Sequence, residues 1–234
     1  MKTKVLSDTH CFHLQEPLDP VDLLIHCGDA TNSKNLWINT QEFMEFFAWW
    51  EAYPADHKIF VPGNHDMYCE ISNFNKFVKK LNKPNFHFLI DSSVNIEGLV
   101  FYGTPYTPRF HDWAFNVDRD KTHKHHKFIK ESVVDVVISH GPPRYVLDQV
   151  PRSIKLEGVE ETLSFSESVG CASLAKAIEI RKPNHVFFGH IHGSNRFENN
   201  GTLIRGGVNY HNCSQVLDNM FSYGLFYNGK ILEL

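Results

Sequence analysis

The sequence has few cysteines, and they are not arranged to build a structure. The five are odd in number, widely separated along the chain and include no C-x-x-C pair. Disulfide frameworks and zinc ribbons both depend on paired or closely spaced cysteines. Neither is indicated here, and free thiols in a reducing compartment are expected.

The sequence also lacks long apolar runs and an excess of positive charge. No apolar stretch approaches the ~18 residues of a membrane-spanning helix, and the N-terminus shows no signal-peptide pattern. The formal net charge of −4 provides no global basic field for nucleic acid. We therefore expect a soluble cytoplasmic protein, a monomer or small homo-oligomer, with no membrane partner and no dedicated nucleic-acid surface.

The chain does have enough apolar sequence for one large core. Its 234 residues are 42% hydrophobic, which predicts a single domain over residues 1–234. Short β-branched and aromatic runs that end in polar clusters predict buried strands at residues 4–6, 22–27, 58–61, 133–138 and 185–188. Helices are predicted at residues 39–53, 73–81 and 172–181, each of which stops shortly before a proline.

The order of these elements predicts the fold class. Asn39 and Glu42 have capping-box spacing, so the first helix is expected to begin at Asn39. Residues 85–104 and roughly the last thirty residues are typical of antiparallel meanders. Strands alternating with helices, together with these meanders, predict an α/β fold of two mixed sheets packed face to face with helices outside. Residues 104–127 and 142–169 fit no regular element and are expected to be long functional loops.

Histidine is in clear excess, with 15 in the chain, and several follow the predicted strands. In α/β sheets, polar residues after the carboxyl ends of neighbouring strands converge on the edge that carries the site. The positions that meet this condition are Asp8, His10, Asp29, Asn64, His65, His140, His190 and His192. This oxygen and imidazole set without thiolate suits Mn²⁺, Fe and Zn²⁺. All but His65 are counted as ligand candidates, and because that number exceeds the ligands of one ion, two ions sharing a bridging carboxylate are expected.

These residues form five ordered blocks: Asp8-Thr9-His10, Gly28-Asp29, Gly63-Asn64-His65-Asp66, His140 and Gly189-His190-Ile191-His192. The blocks span nearly the whole chain and resemble those of the calcineurin-like metallophosphoesterases. Residues 101–108, 113–116, 139–143 and 208–213 are similar to the small metallophosphoesterase-domain-containing branch, which is reported to hydrolyse cyclic nucleotides and other phosphodiesters. The resemblance implies a four-layer αββα sandwich and a small-molecule phosphate ester as substrate.

The resemblance also implies how the ligands are shared. It assigns seven ligands to two divalent ions: Asp8, His10 and His192 to one, Asn64, His140 and His190 to the other, and Asp29 as the bridge between them. Mn²⁺ is the expected ion, with Fe, Zn²⁺, Ni²⁺ or Mg²⁺ as alternatives. Two such ions lower the pKa of a bridging water toward neutrality and so supply a hydroxide for in-line attack on phosphorus.

The resemblance gives His65 the role of contacting the phosphate and protonating the leaving oxygen, and histidine is the side chain suited to that task near neutral pH. In the related Ser/Thr phosphatases, Asp-Arg-Gly follows the second block and an Asp orients this histidine. Here the chain continues Ala30-Thr31-Asn32-Ser33-Lys34, which argues against a phosphatase of that type, and the orienting position is occupied by Asn32. Asn32, Asp66 or a backbone carbonyl could orient His65, and Asp66 is grouped with His65 as a catalytic candidate.

Substrate contacts are expected from the two irregular segments that flank the metals. The candidates are Arg109, His111, Trp113, Arg144 and Tyr145, because an arginine with an aromatic can hold a phosphate and stack a base. Loop packing is the alternative explanation for the aromatics. The basic, His-rich run at residues 121–127 is interpreted as a solvated helix face, with a metal site as the alternative.

The expected function is a phosphodiesterase acting on a small nucleotide-like substrate. A phosphomonoesterase or nucleotide pyrophosphatase could use the same site. A non-catalytic protein-binding platform is disfavoured because such proteins tend to lose the histidine that is present here as His65. A repair nuclease is disfavoured by the length and the net charge.

Overall fold

The computed structural model describes residues 1–130, 133–155, 162–194, 199–218 and 229–234. The strands are β1 Lys2–Leu6, β2 Val21–His26, β3 Ala55–Phe60, β4 Phe86–Phe88, β5 Ser92–Ile96, β6 Leu99–Thr104, β7 Thr107–Pro108, β8 Asn116–Val117, β9 Val136–Ser139, β10 Gln149–Lys155, β11 Thr162–Ser168, β12 His185–Phe188, β13 Gly193–Ser194, β14 Gly201–Arg205, β15 Val208–Asn212, β16 Leu217–Asp218 and β17 Lys230–Glu233. The α-helices are α1 Leu36–Ala52, α2 Met67–Glu70, α3 Ser72–Leu81 and α4 Ala172–Arg181.

Two large mixed sheets form the centre of the fold. The first has the order β17-β1-β2-β3-β4, in which only β17 runs antiparallel to its neighbour. The second has the order β14-β15-β12-β9-β6-β5, with β14 and β5 as antiparallel edge strands. The strands predicted from apolar runs are therefore confirmed, although β9 begins at Val136 rather than at residue 133.

Three apolar cores separate the layers. Side chains alternate along a strand, so Leu23 and Ile25 of β2 lie between the two sheets, whereas Leu24 faces the helices. The outer face of the first sheet packs against α1 and α3, and the outer face of the second sheet packs against α4. The order helix, sheet, sheet, helix confirms the predicted four-layer sandwich. The aromatic residues near the end of α1, Trp49, Trp50 and Tyr53, are buried in the first of these cores, as expected of packing residues.

The predicted start of the first helix is wrong. Helix α1 begins at Leu36, and Asn35 caps it by accepting from the backbone N–H groups of Trp37 and Ile38. Asn39 lies inside the helix and is buried, while Glu42 accepts from backbone N–H groups outside it. The capping-box spacing was present, but Asn35 offers the same chemistry one turn earlier.

Two of the segment predictions also need correction. Residues 85–104 are not one meander, because β4 joins the first sheet in parallel with β3 and only β5 and β6 pair antiparallel. Residues 142–169 are not irregular throughout, because β10 and β11 form a two-stranded antiparallel ribbon. Both differences depend on pairing partners distant in sequence, which local patterns do not specify.

The His-rich run forms a 3-10 turn at Thr122–His125, in which Lys121, His123 and Lys124 are exposed as predicted, whereas Thr122 and His126 are buried. His123 bonds to a backbone oxygen, His125 to Asp91, and the buried His126 to Ser173. These three histidines therefore have three different partners, and no metal cluster is found among them in the described residues.

All five cysteines are free, as expected. Among the described residues, no helix combines the length and the apolar sequence needed to span a bilayer.

Candidate metal centre

The seven predicted ligands converge at one edge of the sandwich. Asp8, Asp29 and Asn64 follow β1, β2 and β3, which are neighbours in the first sheet. His10 also follows β1, whereas His140, His190 and His192 follow β9 and β12, which are neighbours in the second sheet. Because the carboxyl ends of parallel strands meet at one edge, residues far apart in sequence are brought together there.

One trio consists of Asp8, His10 and His192, whose candidate ligand atoms all lie within 4.8 Å of one another. His192 Nε2 is 3.3 Å from Asp8 Oδ1 and 3.4 Å from His10 Nε2. The Asp8 carboxylate also accepts from the backbone N–H of His190, which fixes its orientation. This is the first of the two ligand sets that the resemblance implies.

The second trio consists of Asp29, His140 and His190, again with ligand atoms within 4.8 Å. Asn64 adds its amide oxygen, which lies 2.9 Å from His140 Nε2. His140 Nδ1 is held 2.8 Å from the backbone oxygen of Cys27. The Nε2 atom of His140 is therefore the one directed toward the trio, since a second partner of this kind selects which ring nitrogen can bind a metal.

Asp29 belongs to the second trio and also faces His10 of the first. Its Oδ2 atom is 3.3 Å from His140 Nε2 and 3.9 Å from His10 Nε2. Its Oδ1 atom accepts from the backbone N–H of His65. The position is the one that a bridging carboxylate requires.

Four of the seven predicted ligands have left-handed backbone conformations. The φ angles are 55° for Asp8, 41° for His10, 57° for Asp29 and 67° for His190. Each such residue costs on the order of 1–3 kcal/mol, and outliers of this kind concentrate at functional sites. Hydrogen bonds between the strand-end loops, such as that from the His10 N–H to the Asp29 carbonyl, hold these conformations in place.

Two glycines leave the space that the carboxylates occupy. A Cβ atom on Gly63 would overlap Asp29 Oδ1, and one on Gly189 would overlap Asp8 Oδ2. The glycines therefore allow the loops to approach the carboxylates closely. Together with the clustered imidazole nitrogens and carboxylate oxygens, this cradle fits two divalent cations and contains no thiolate that would favour a soft ion.

Burial sets the protonation of the imidazoles. It lowers the pKa of His10 to about 4 and that of His190 to about 3, so their lone pairs are available at neutral pH. Burial also opposes protonation of His140, but the carboxylates of Asp29 and Asp8 raise its pKa to about 9. A cation bound beside His140 would therefore displace a proton.

His65 lies beside the trios, and its ligand atom is within 4.8 Å of those of His10 and Asp29. Its Nδ1 atom is 3.2 Å from the backbone oxygen of Asn32, so the orienting group in this geometry is a backbone carbonyl. The ring packs edge-on to His10, with centroids 4.8 Å apart. Its other neighbour is Trp113, which stacks on it at 3.9 Å with an interplanar angle of 28°.

Asp66 lies beneath the site and contacts backbone rather than the His65 ring. Its carboxylate accepts from the backbone N–H groups of Gly63, Asp29, Ala30 and Thr31 and from the Thr31 hydroxyl. The side chain is fully buried. It ties the loop after β2 to the loop after β3 and so places Asp29 and His65 relative to each other.

Of the five predicted substrate residues, Trp113 is the one with a described contact to the site. Arg109 pairs with Asp118, the exposed His111 packs on Phe110, and Arg144 lies over the ring of Tyr145. For these four, a role with substrate remains a prediction.

Two residues for which the sequence predicted no role at the site contact the main chain of its residues. The buried Asn39 of α1 contacts the backbone oxygen of His65, and Asn199 contacts that of His192. Both donate to main-chain oxygens, that of His65 across 26 positions of sequence and that of His192 across seven. No spacing rule would have identified them.

The fold and the paired ligand sets define an αββα sandwich with a candidate dinuclear metal centre at one edge. The chain belongs to the calcineurin-like phosphoesterase family, whose model matches residues 1–194. The family implies a dinuclear divalent metal site, and the two trios provide candidate ligands for it.

Curated relatives align with most of the chain. The chain is 29% identical over 235 residues to metallophosphoesterase domain-containing protein 1 of Homo sapiens, an alignment that covers 89% of the chain and 64% of that protein. It is 26% identical to a UPF0046 protein of Caenorhabditis elegans, covering 92% and 70%. The chain thus spans under two thirds of the human relative.

A solved crystal structure supports the architecture. It is 16% identical in sequence, has a TM-score of 0.66, and the match covers 90% of this chain and 89% of that one. At this identity the likeness shows the fold alone.

Proposed function

We propose that the protein is a phosphodiesterase that hydrolyses a small nucleotide-like phosphodiester, with Mn²⁺ as its preferred ion. The observation that carries the proposal is the position of Asp29, whose carboxylate contacts His140 in its own trio and also faces His10 of the other trio, while His65 stands beside them. With two divalent ions bound, the site would present positive charge on one side of a phosphate and the proton donor His65 on the other.

The ligand sets assign the metal-binding roles. Asp8, His10 and His192 would hold one ion, Asn64, His140 and His190 the other, and Asp29 would contact both. Bound there, two divalent ions supply a nucleophile at neutral pH and neutralise charge on the phosphoryl oxygens. The neutral amide of Asn64 limits the negative charge around the ions, which helps an anionic substrate to approach.

His65 is proposed as the general acid. Its Nδ1–H donates to the Asn32 carbonyl, so Nε2 is the nitrogen that can deliver a proton to the leaving oxygen. The stacked Trp113 restricts rotation of the ring. Asp66 is proposed to act as a positioning residue, through the backbone of the loops that carry Asp29 and His65.

A phosphomonoesterase with the same site is the competing function. Hydrolysis of bis(p-nitrophenyl) phosphate and of p-nitrophenyl phosphate by the Mn²⁺-loaded protein separates the two. We expect a higher kcat/KM for the diester. A strong preference for the monoester would rule out the diesterase assignment while leaving the metal centre intact.

We further propose that residues 1–234 form one domain that works in the cytoplasm as a monomer or small homo-oligomer. A protein-binding platform would be favoured only if the protein bound two Mn²⁺ ions and turned over no phosphate ester.

A further inference from the structure

Trp113 is part of a loop that is fastened to the metal centre. The backbone N–H of Ala114 donates to the carbonyl of Asn64, and that of Phe115 donates to Glu70. The indole of Trp113 consequently lies flat against His65 and is itself only partly exposed. The loop thereby fixes a rigid aromatic surface beside the proposed general acid.

Lys34 supplies a positive charge at this surface. Its Nζ atom lies 4.1 Å from the Trp113 ring centroid, within the range of a cation–π contact. The Nζ atom is thus within about 8 Å of the His65 ring centre, inside one Debye length at physiological salt. The side chain is exposed, and among the described residues no carboxylate forms an ion pair with it. Arg109, in contrast, is neutralised by Asp118.

The segment that carries Lys34 also orients His65. Asn32 presents its carbonyl to His65, the N–H groups of Asn32 and Ser33 donate to Glu42, and Asn35 caps α1. Lys34 is therefore fixed at its backbone, and its ammonium group lies against the Trp113 ring on which His65 also stacks. Its N–H donors remain available to an anion.

We propose that Lys34 and Trp113 form a subsite for the leaving group, one that selects phosphoesters whose leaving group carries a second anionic group such as a carboxylate or phosphate. The inference rests on the proposed function, because His65 donates its proton to the leaving oxygen and so locates the leaving group on its own side of the site. In a chain of net charge −4, an unpaired cation at this place attracts negative charge.

The test uses two diesters, methyl 4-nitrophenyl phosphate and methyl 3-carboxy-4-nitrophenyl phosphate. They differ by one carboxylate on the leaving group, which adds a negative charge. The readout is the ratio of kcat/KM for the carboxylated over the uncharged leaving group. We expect Lys34→Gln to lower this ratio about fivefold to tenfold and Lys34→Glu to lower it further. The wild-type ratio should also fall as salt is raised from 0.05 to 0.5 M. Lys80→Gln, an exposed lysine on α3, is the matched control and should keep the wild-type ratio.

An equal ratio in wild type, Lys34→Gln and Lys34→Glu would overturn the subsite. Failure of the diesterase proposal has a different signature, in which neither diester is hydrolysed but p-nitrophenyl phosphate is. The ratio is then measured with the two corresponding monoesters, 4-nitrophenyl phosphate and 3-carboxy-4-nitrophenyl phosphate, and the same criterion applies. Trp113→Leu should lower kcat for both esters, because it removes the surface that holds both Lys34 and His65.

Discussion

His65 is fixed through both its backbone and its ring, while its ring Nε2 atom is directed to the site. The backbone N–H donates to Asp29, and Nδ1 is held by the Asn32 carbonyl. The position that an aspartate side chain fills in related phosphatases is thus supplied here by main chain. A backbone carbonyl orients the ring without adding a negative charge beside the metal centre.

Replacing His65 by alanine should separate proton donation from metal binding. We expect His65→Ala to retain both metal ions, since the two trios contain enough other ligands. Turnover of a phenyl diester should fall by about 10²-fold to 10⁴-fold, whereas a 4-nitrophenyl diester, whose leaving group needs little protonation, should lose less than about tenfold. Steady-state kinetics and metal analysis on the same preparations give the comparison.

The exposed His123→Ala is the control and should behave as wild type. Equal losses on both esters in His65→Ala would show that His65 acts on the phosphate or the metals and not on the leaving group.

At the scale of elements, the N-terminal end of α1 has two asparagines with different tasks. Asn35 caps the helix from the outside, whereas Asn39 is buried and bonds to Thr31, Ser33, His65 and Tyr68. The first contributes to helix stability and the second connects three segments at the site. Substitutions of the two asparagines should therefore differ in their effects on stability and on activity.

We expect Asn35→Ala to lower the free energy of unfolding by about 1 kcal/mol, the usual value of an N-cap. Asn39→Ala should cost on the order of 3 kcal/mol, because several buried groups lose their partners, and should also slow ester hydrolysis by displacing His65. Urea unfolding of the metal-free proteins measures the free energy of unfolding of each variant. No loss in Asn35→Ala would contradict the corrected helix start, and a larger loss in Asn35→Ala than in Asn39→Ala would contradict the connecting role of Asn39.

The same elements show what the sequence could and could not predict. Asp8, Asp29 and Asn64 were identifiable because each follows an apolar run, and the topology of parallel strands then brings them together. The direction of β4, the β10–β11 ribbon and the role of Asn39 depend on partners distant in sequence. Local pattern gives no information about such pairings, whereas residues at strand ends are constrained by the sheet itself.

For the whole molecule, buried neutral histidines outside the metal centre should make the fold sensitive to acid. Burial lowers the pKa of His13, His126 and His211 to about 4 and that of His26 to about 3. These values lie below the ~6.5 of an unfolded chain, so the unfolded state binds more protons between these limits. The contribution of these histidines to the free energy of unfolding is therefore complete above pH 6.5. It falls as the pH drops toward 4, by up to about 1.4 kcal/mol per pH unit for each histidine.

His13 allows this prediction to be tested with one substitution. It packs against the rings of Phe46 and Trp49, and in the described part of the chain neither of its ring nitrogens has a hydrogen-bond partner. His13→Phe should reduce the slope of the unfolding free energy against pH between pH 6.5 and 4.5. The reduction should correspond to at most one proton fewer taken up on unfolding. Urea unfolding in EDTA, which removes the contribution of metals, measures it. An unchanged slope would mean that His13 is protonated in the folded protein.

The two-metal phosphoesterase is tested most directly by titrating metal-free protein with Mn²⁺ while hydrolysis of bis(p-nitrophenyl) phosphate is followed. The shared carboxylate of Asp29 predicts that activity continues to rise until two equivalents of Mn²⁺ are bound per chain and then stays constant. Saturation of activity at one equivalent, or two bound ions without hydrolysis of any phosphate ester, would contradict the account.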